Sequence, residues 1–303
     1  MQVLLLDLRS NPGGLLSQAV DVSDIFLDTG ELVVSTKGRI DEQNQSYYAR
    51  TPARFDRSFP IITLVNGGSA SASEILAGSI QDWDRGVVAG TTSFGKGSVQ
   101  TLMRLRPLTK DCAMKITTAK WYMASGRAIE KPEHWIVEEL AEGEEAEAEP
   151  EKPQYRTAGG RVVYGGGGVT PDVVIEPVSV PDVVVDLERR EEFFEFAIDY
   201  VAANGAPASF DVTAEIWQAF VDFLERDEFE FEEDELEESR SGIELRIKRD
   251  MVRHVSGREE AYAVSIRGDE QLNRTIEILG RARDLQELFD VAESYDSERL
   301  GMN

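Results

Sequence analysis

The sequence predicts an α/β domain followed by an acidic, mainly α-helical one. Three observations support this. Short apolar runs of strand length alternate with helix-period segments over the first half. The joints between them are Gly-, Asn- and Pro-rich turns. Past Asp186 the apolar residues recur at helical spacing within a strongly acidic background. The order strand, helix, strand, helix, strand is that of an α/β core.

Val3 to Leu8 is an apolar run closed by Asn11-Pro12-Gly13-Gly14, which reads as a buried strand and a tight loop. Leu15 to Phe26 places apolar residues at 15, 16, 19, 22, 25 and 26, a helical pattern. Glu31 to Thr36 predicts a strand, and the polar segment 37–58 a loop or exposed hairpin. Pro60 to Val65 is a second buried-type strand, ending at Asn66-Gly67-Gly68. Ala72 to Trp83 follows as a helix with Ile75, Leu76, Ile80 and Trp83 on one face. Val87-Val88-Ala89 is a short strand before a glycine-rich loop from Gly90 to Gly97. Val99 to Leu105, Met114 to Tyr122 and Val169 to Ile175 are strands. Eight Glu and no basic residue fall within 138–151, so about 138–155 reads as an acidic, disordered insertion. Beyond a boundary at 180–186, helices are expected over 188–203, 212–224 and 269–293, with the second domain covering 186–303 and the first 1–180.

The 303 residues carry 57 Asp+Glu against 32 Lys+Arg, a formal net charge of -25. Such a surface repels nucleic acid and anionic lipid, so neither is an expected partner. The one cysteine, Cys112, allows no internal disulfide and no cysteine-rich metal site. Met1 leads directly into an apolar strand with no signal peptide, which predicts an N-terminally truncated core.

Two segments carry candidate chemistry. Ser69-Ala70-Ser71-Ala72-Ser73-Glu74-Ile75 runs from a strand through a small-residue turn into a helix. Phe94-Gly95-Lys96-Gly97-Ser98-Val99-Gln100 is a glycine-flanked lysine leading into a strand. A serine hydroxyl attacks only when a base takes its proton. The only histidines, His134 and His254, abut the acidic insertion and lie in the tail, which argues against a Ser-His-Asp triad. Lysine serves as the base when its amine is neutral, which burial must favour by about 4 kcal/mol. Glycines on both sides of Lys96 would let backbone pack closely and exclude water. At a helix start the Ala72 amide is a natural oxyanion donor, and the Gly13-Gly14 turn can bring a second. Each block also has a plainer reading: the serines as helix caps, Asp7 and Arg9 as a structural ion pair, Glu74 as a first-turn acid, Gln100 as an exposed strand residue. Gly90 to Lys96 follows a phosphate-loop pattern but breaks it at Gly97, and a strand rather than a helix follows.

Together with Asp7-Leu8-Arg9-Ser10-Asn11-Pro12-Gly13-Gly14, these blocks resemble the C-terminal processing (tail-specific) serine peptidases over about residues 3–176. The resemblance implies a crotonase/ClpP-like β-α spiral core with a Ser–Lys dyad. It makes Ser71 the nucleophile, Lys96 the base and Gln100 its positioning residue. It makes Gly14 and Ala72 the oxyanion donors, with Asp7, Arg9 and Glu74 supporting the site. It also likens Thr117 to Tyr122 with Ser125-Gly126-Arg127 to the strand after the lysine, and Gly168-Val169-Thr170-Pro171-Asp172 to the block that closes the core. The implied function is a serine endopeptidase that cleaves protein C-terminal regions through an acyl-enzyme, with no metal or organic cofactor. Its partners would be proteins with accessible C-terminal tails, and the parent protein would sit in the periplasm or cell envelope. The peptide-binding PDZ domain that such peptidases carry upstream is absent from this sequence. The alternative reading is therefore an incompetent fragment serving as an interaction or homodimerisation module.

Overall fold

The computed structural model describes residues 3–104, 112–131, 152–207 and 209–300, with side chains through residue 295. The chain divides into two compact units, residues 1–176 with 274–303, and residues 177–273.

Unit 1 is mixed α/β. Its parallel sheet has the order β1-β4-β5-β10, from β1 (Leu4–Asp7), β4 (Ile61–Val65), β5 (Val87–Gly90) and β10 (Val173–Val174). Leu4 pairs with Ile61 and Asp7 with Leu64, so the ends of β1 and β4 arrive side by side. β4 and β5 are buried along their whole length, which explains their uninterrupted apolar runs. Helices α1 (Leu16–Ser23) and α2 (Ala72–Asp82) pack together. Val20, Leu27, Val65, Ile75, Val88, Trp121 and Met123 form a core with them.

An antiparallel sheet has the order β3-β2-β7-β6, from β2 (Leu32–Gly38), β3 (Gln45–Tyr48), β6 (Ser98–Arg104) and β7 (Ala113–Tyr122). A small hairpin, β8 (Gln154–Arg156) with β9 (Val162–Tyr164), completes the strands. It corrects the expected insertion, which ends before Gln154; residues 138–151 lie outside the described residues.

Unit 2 is helical: α3 (Asp182–Arg189), α4 (Glu192–Asn204), α5 (Ala214–Arg226), α6 (Glu233–Glu238), α7 (Arg240–Ser256) and α8 (Arg258–Arg267). Its core is aromatic. Phe196 meets Phe220 edge-on at 5.1 Å, and Phe193 stacks on Phe220 at 5.6 Å. The expected boundary at 180–186 falls instead inside α3, because Val183, Val184 and Leu187 are buried in this core.

The last segment also departs from expectation. It is two helices, α9 (Glu270–Gly280) and α10 (Leu285–Leu300), broken after a glycine that ends the first. α10 belongs to unit 1 rather than to the tail domain. There Leu285 donates its amide to the Ser58 carbonyl at 2.7 Å, Leu288 is fully buried, and the Arg161 guanidinium lies 4.4 Å from the Phe289 ring centroid. Among the described residues no helix is long and apolar enough to cross a membrane.

Candidate active site

The turn between β4 and α2 is held from two sides. The Asn66 carboxamide oxygen accepts from the amides of Ser10 (2.7 Å) and Gly68 (3.0 Å). The Ser69 hydroxyl donates to the Leu8 carbonyl at 2.7 Å and accepts from the Asn66 amide at 2.9 Å. The Ala70 amide donates to the Asn11 carbonyl at 3.0 Å. The Asp7 block and the serine block, nearly sixty residues apart in sequence, are thus stitched together because β1 and β4 are neighbours.

Ser71 sits at the tip of this turn as the N-cap of α2, with φ 58° and ψ −114°. That conformation costs a non-glycine residue about 1–3 kcal/mol, and the surrounding bonds maintain it. The three serines are now distinguishable. Ser69 is buried and its hydroxyl is consumed, Ser73 is buried within the helix, and Ser71 alone is half-exposed.

Gly13 approaches this turn closely. It has φ +81°, and a Cβ there would lie 2.6 Å from the Ala72 nitrogen and still nearer the Ala70 oxygen. Its own amide is spent on the Asn11 side-chain oxygen at 2.9 Å. Among the described residues, no hydrogen bond takes up the amides of Gly14 or Ala72. Two donors therefore stand uncommitted beside Ser71's turn, one at the head of a helix whose dipole favours negative charge.

Glu74 is the junction of the site. Its carboxylate is fully buried and all its acceptor positions are filled. One oxygen accepts from the Ser93 hydroxyl (2.5 Å) and the Gly95 amide (2.7 Å). The other accepts from the amides of Ser71 (2.7 Å) and Lys96 (3.0 Å). Burial pushes this carboxyl above its ordinary range, while the four hydrogen bonds pull it back. The expected first-turn acid is thus a cap that also ties the serine turn to the lysine loop.

The lysine loop is fixed by backbone. The Phe94 amide donates to Ser69 O at 3.0 Å, Lys131 N–H to Gly95 O at 3.0 Å, and Trp121 N–H to Gly97 O at 2.8 Å. Gly97 lies against Glu130, where a Cβ would come within 2.5 Å of Glu130 Cβ. Backbone does pack around the two glycines, as expected, but the described residues form no water-excluded pocket for Lys96. Its side chain is exposed and makes no hydrogen bond or ion pair among the described residues, with Ser71 or any other group. The glycines offer no side chain to shelter the amine, and the adjoining Phe94 is itself 55% exposed. Gln100 is also exposed, and its side chain makes no hydrogen bond among the described residues, beyond a β-bulge at Val99/Gln100 that re-aims the strand's side chains.

Asp7 and Arg9 form a bidentate pair, with Nη2 to Oδ2 at 2.7 Å and Nε to Oδ1 at 3.0 Å. Asp172, in the closing block, accepts from the Val88 amide (2.8 Å), Gln81 (2.9 Å) and Arg161 (2.6 Å), locking β10 to β5 and α2. Asn11, Asn66 and Ser93 are site residues that sequence reasoning did not single out; only the Asn-Pro and Asn-Gly-Gly turn signals hinted at the first two. His134 lies outside the described residues, and His254 and Cys112 are exposed. Among the described residues no group of His, Cys, Asp and Glu could hold a metal ion.

Residues 1–135, which include Ser71 and Lys96, match the family model described as Peptidase family S41. Residues 183–235 match the model of a probable PDZ-protease C-terminal helical domain. A carboxy-terminal-processing protease of Bartonella bacilliformis is 52% identical over 126 residues, covering 42% of this chain and 28% of the relative. A probable CtpA-like serine protease of Staphylococcus aureus is 39% identical over 130 residues, covering 43% of this chain and 25% of the relative. Among solved structures, the photosystem II D1 C-terminal processing protease aligns with TM-score 0.40 and 29% identity over 58% of this chain and 35% of that one. The chain spans about a quarter of the length of these curated relatives.

Proposed function

We propose that the protein is a serine endopeptidase acting near protein C-termini, with Ser71 and Lys96 as its dyad, a reading supported by the match of residues 1–135 to the Peptidase family S41 model. The observation that carries this reading is the arrangement at α2: a strained, half-exposed serine at a helix head, two uncommitted amides beside it, and one carboxylate holding the serine and lysine backbones in register. Ser71 Oγ attacks the scissile carbonyl while Lys96 takes its proton. The amides of Gly14 and Ala72 receive the oxyanion. Lys96 then returns the proton to the departing amine, and water hydrolyses the Ser71 ester. Lys96 is exposed in this structure, so a bound chain must cover it before its amine can work as a base. Asp7–Arg9 and Glu74 support the loops, and Gln100 orients the lysine once substrate is in place. We place the protein in the cell envelope, a reading supported by its likeness to a bacterial carboxy-terminal-processing protease.

The same exposure of Lys96 favours a second reading, in which this chain is a folded interaction module that does not cleave. One experiment separates them. The purified chain is incubated with an unstructured protein, beside Ser71→Ala and Lys96→Ala variants, and products are read by mass spectrometry. Cleavage by the wild type alone supports the peptidase. Absence of cleavage by every form, with cleavage restored when upstream sequence is added, assigns the module reading to this chain.

A further inference from the structure

The antiparallel sheet differs in charge from the rest of the protein. Its four strands contain Lys37, Arg104, Lys115 and Lys120 and no carboxylate, in a chain with 57 acidic residues. Lys120 is paired with Glu130 at 2.6 Å, and Lys37 lies over the Tyr122 ring at 4.6 Å. Arg104 and Lys115 are exposed and make no ion pair among the described residues.

The register puts these two cations together. Leu102 opposes Lys115, Arg104 opposes Ala113, and Gln100 opposes Thr117. Residues two apart on a strand share a face, so Gln100, Leu102, Arg104 and Lys115 form one exposed surface. Leu102 is 64% exposed there. β6 is also the sheet's edge, with no strand on its outer side among the described residues. An unpaired strand edge is a template for an added extended chain.

β6 starts two residues after Lys96, whose amide shares a Glu74 oxygen with Ser71. Seven strand residues extend roughly 20 Å. A peptide paired along the outer edge of β6 with one end at Ser71 would therefore run beside Arg104, with Lys115 on the same face one strand further in, on β7. We propose that the β6 edge and its cationic face hold the substrate as an added strand, and select extended segments that are acidic within about seven residues of the scissile bond. This rests on the peptidase reading for its orientation, but binding can be measured apart from cleavage.

The test uses the full chain carrying Ser71→Ala and a fluorescently labelled ten-residue peptide with an apolar centre, in three forms: acidic flank, basic flank, and acidic flank with backbone N-methylation. The acidic peptide should bind at least tenfold tighter than the basic one at low salt, and lose that advantage as salt rises. Arg104→Glu with Lys115→Glu should invert the preference, and N-methylation should abolish binding. Equal affinity for acidic and basic peptides overturns the proposal, as does an unchanged preference in the charge-reversed variant. Self-association of the chain that buries this face, read by sedimentation, also overturns it in favour of a second copy as occupant. Cleavage by the wild type without charge preference defeats this inference alone. Charge-selective binding without cleavage defeats the peptidase reading alone.

Discussion

Replacing Glu74 by Gln isolates the junction between serine and lysine. The carboxylate serves three backbone amides and one hydroxyl. A carboxamide keeps one oxygen and presents an NH2 where the other stood. The favourable flip keeps the oxygen on the Ser71 and Lys96 amides and turns the NH2 toward Ser93, whose hydroxyl can rotate to accept. The Gly95 amide then faces a donor. An unsatisfied buried donor costs about 1–3 kcal/mol, so opening at Gly95 should become roughly 5- to 150-fold more frequent. Global stability should move less, because removing the charge also removes the cost of burying it. Native-state hydrogen exchange reads the Gly95 amide directly, with urea unfolding as the global reference. In an active form of the protein, kcat should fall at least tenfold with KM little changed, since Lys96 follows Gly95 in the loop. Gly95 exchange and kcat both at wild-type levels in Glu74→Gln would refute the reasoning.

Gly13→Ala should cost activity at least 100-fold, measured by peptide cleavage: its φ of +81° and the nearby Ala72 nitrogen leave no place for a Cβ, so the uncommitted amides must shift. Arg127→Ala should lower unfolding free energy by about 3–5 kcal/mol in urea titrations, because it strands the fully buried Asp82 carboxylate that Arg127 meets at 2.8 Å; adding Asp82→Asn should recover part of the loss. Phe220→Ala should destabilise unit 2 by about 3–5 kcal/mol, read by far-ultraviolet circular dichroism, since Phe220 touches four other aromatic rings of that core. Glu188 gives an acid limb. Its burial alone would raise the carboxyl, but the hydrogen bonds from Arg249 and Arg246 and their charges hold it below its ordinary 4.5. Its contribution is therefore present above pH 4.5 and lost as pH falls through the lower folded value, and Glu188→Gln should flatten unfolding profiles in that window.

Much of unit 1 was legible because its signals are local. Val3 to Leu8 and Pro60 to Val65 read as buried strands since a parallel sheet needs apolar residues on both faces, and α2 ends one residue short of the predicted Trp83. Ser71 was legible for the same reason, as its turn and helix lie within a few residues. Glu74 was only half legible: its capping role is local, but Ser93, Gly95 and Lys96 lie 19 to 22 residues on, and nothing in the intervening chain announces that they converge. Exposure of Lys96 depends on what covers the glycine loop, which residue identities beside it do not encode. α7 was missed because Ile243, Ile247 and Met251 form a narrow buried stripe among charges. The fate of α10 rests on non-local partners such as Ser58 and Arg161, over a hundred residues upstream.

That return of α10 to unit 1 has a consequence for how the protein is made. Unit 2 is nested: the polypeptide leaves the α/β body after residue 176 and comes back to it from residue 274. During synthesis the helical module is complete while the body that brackets it still lacks its closing helix. The later-encoded module can thus mature ahead of the earlier one, reversing the usual N-to-C succession. A chain interrupted within residues 274–300 would carry a finished insert on an unfinished host, and deleting those residues would take from the α/β body rather than from the helical module.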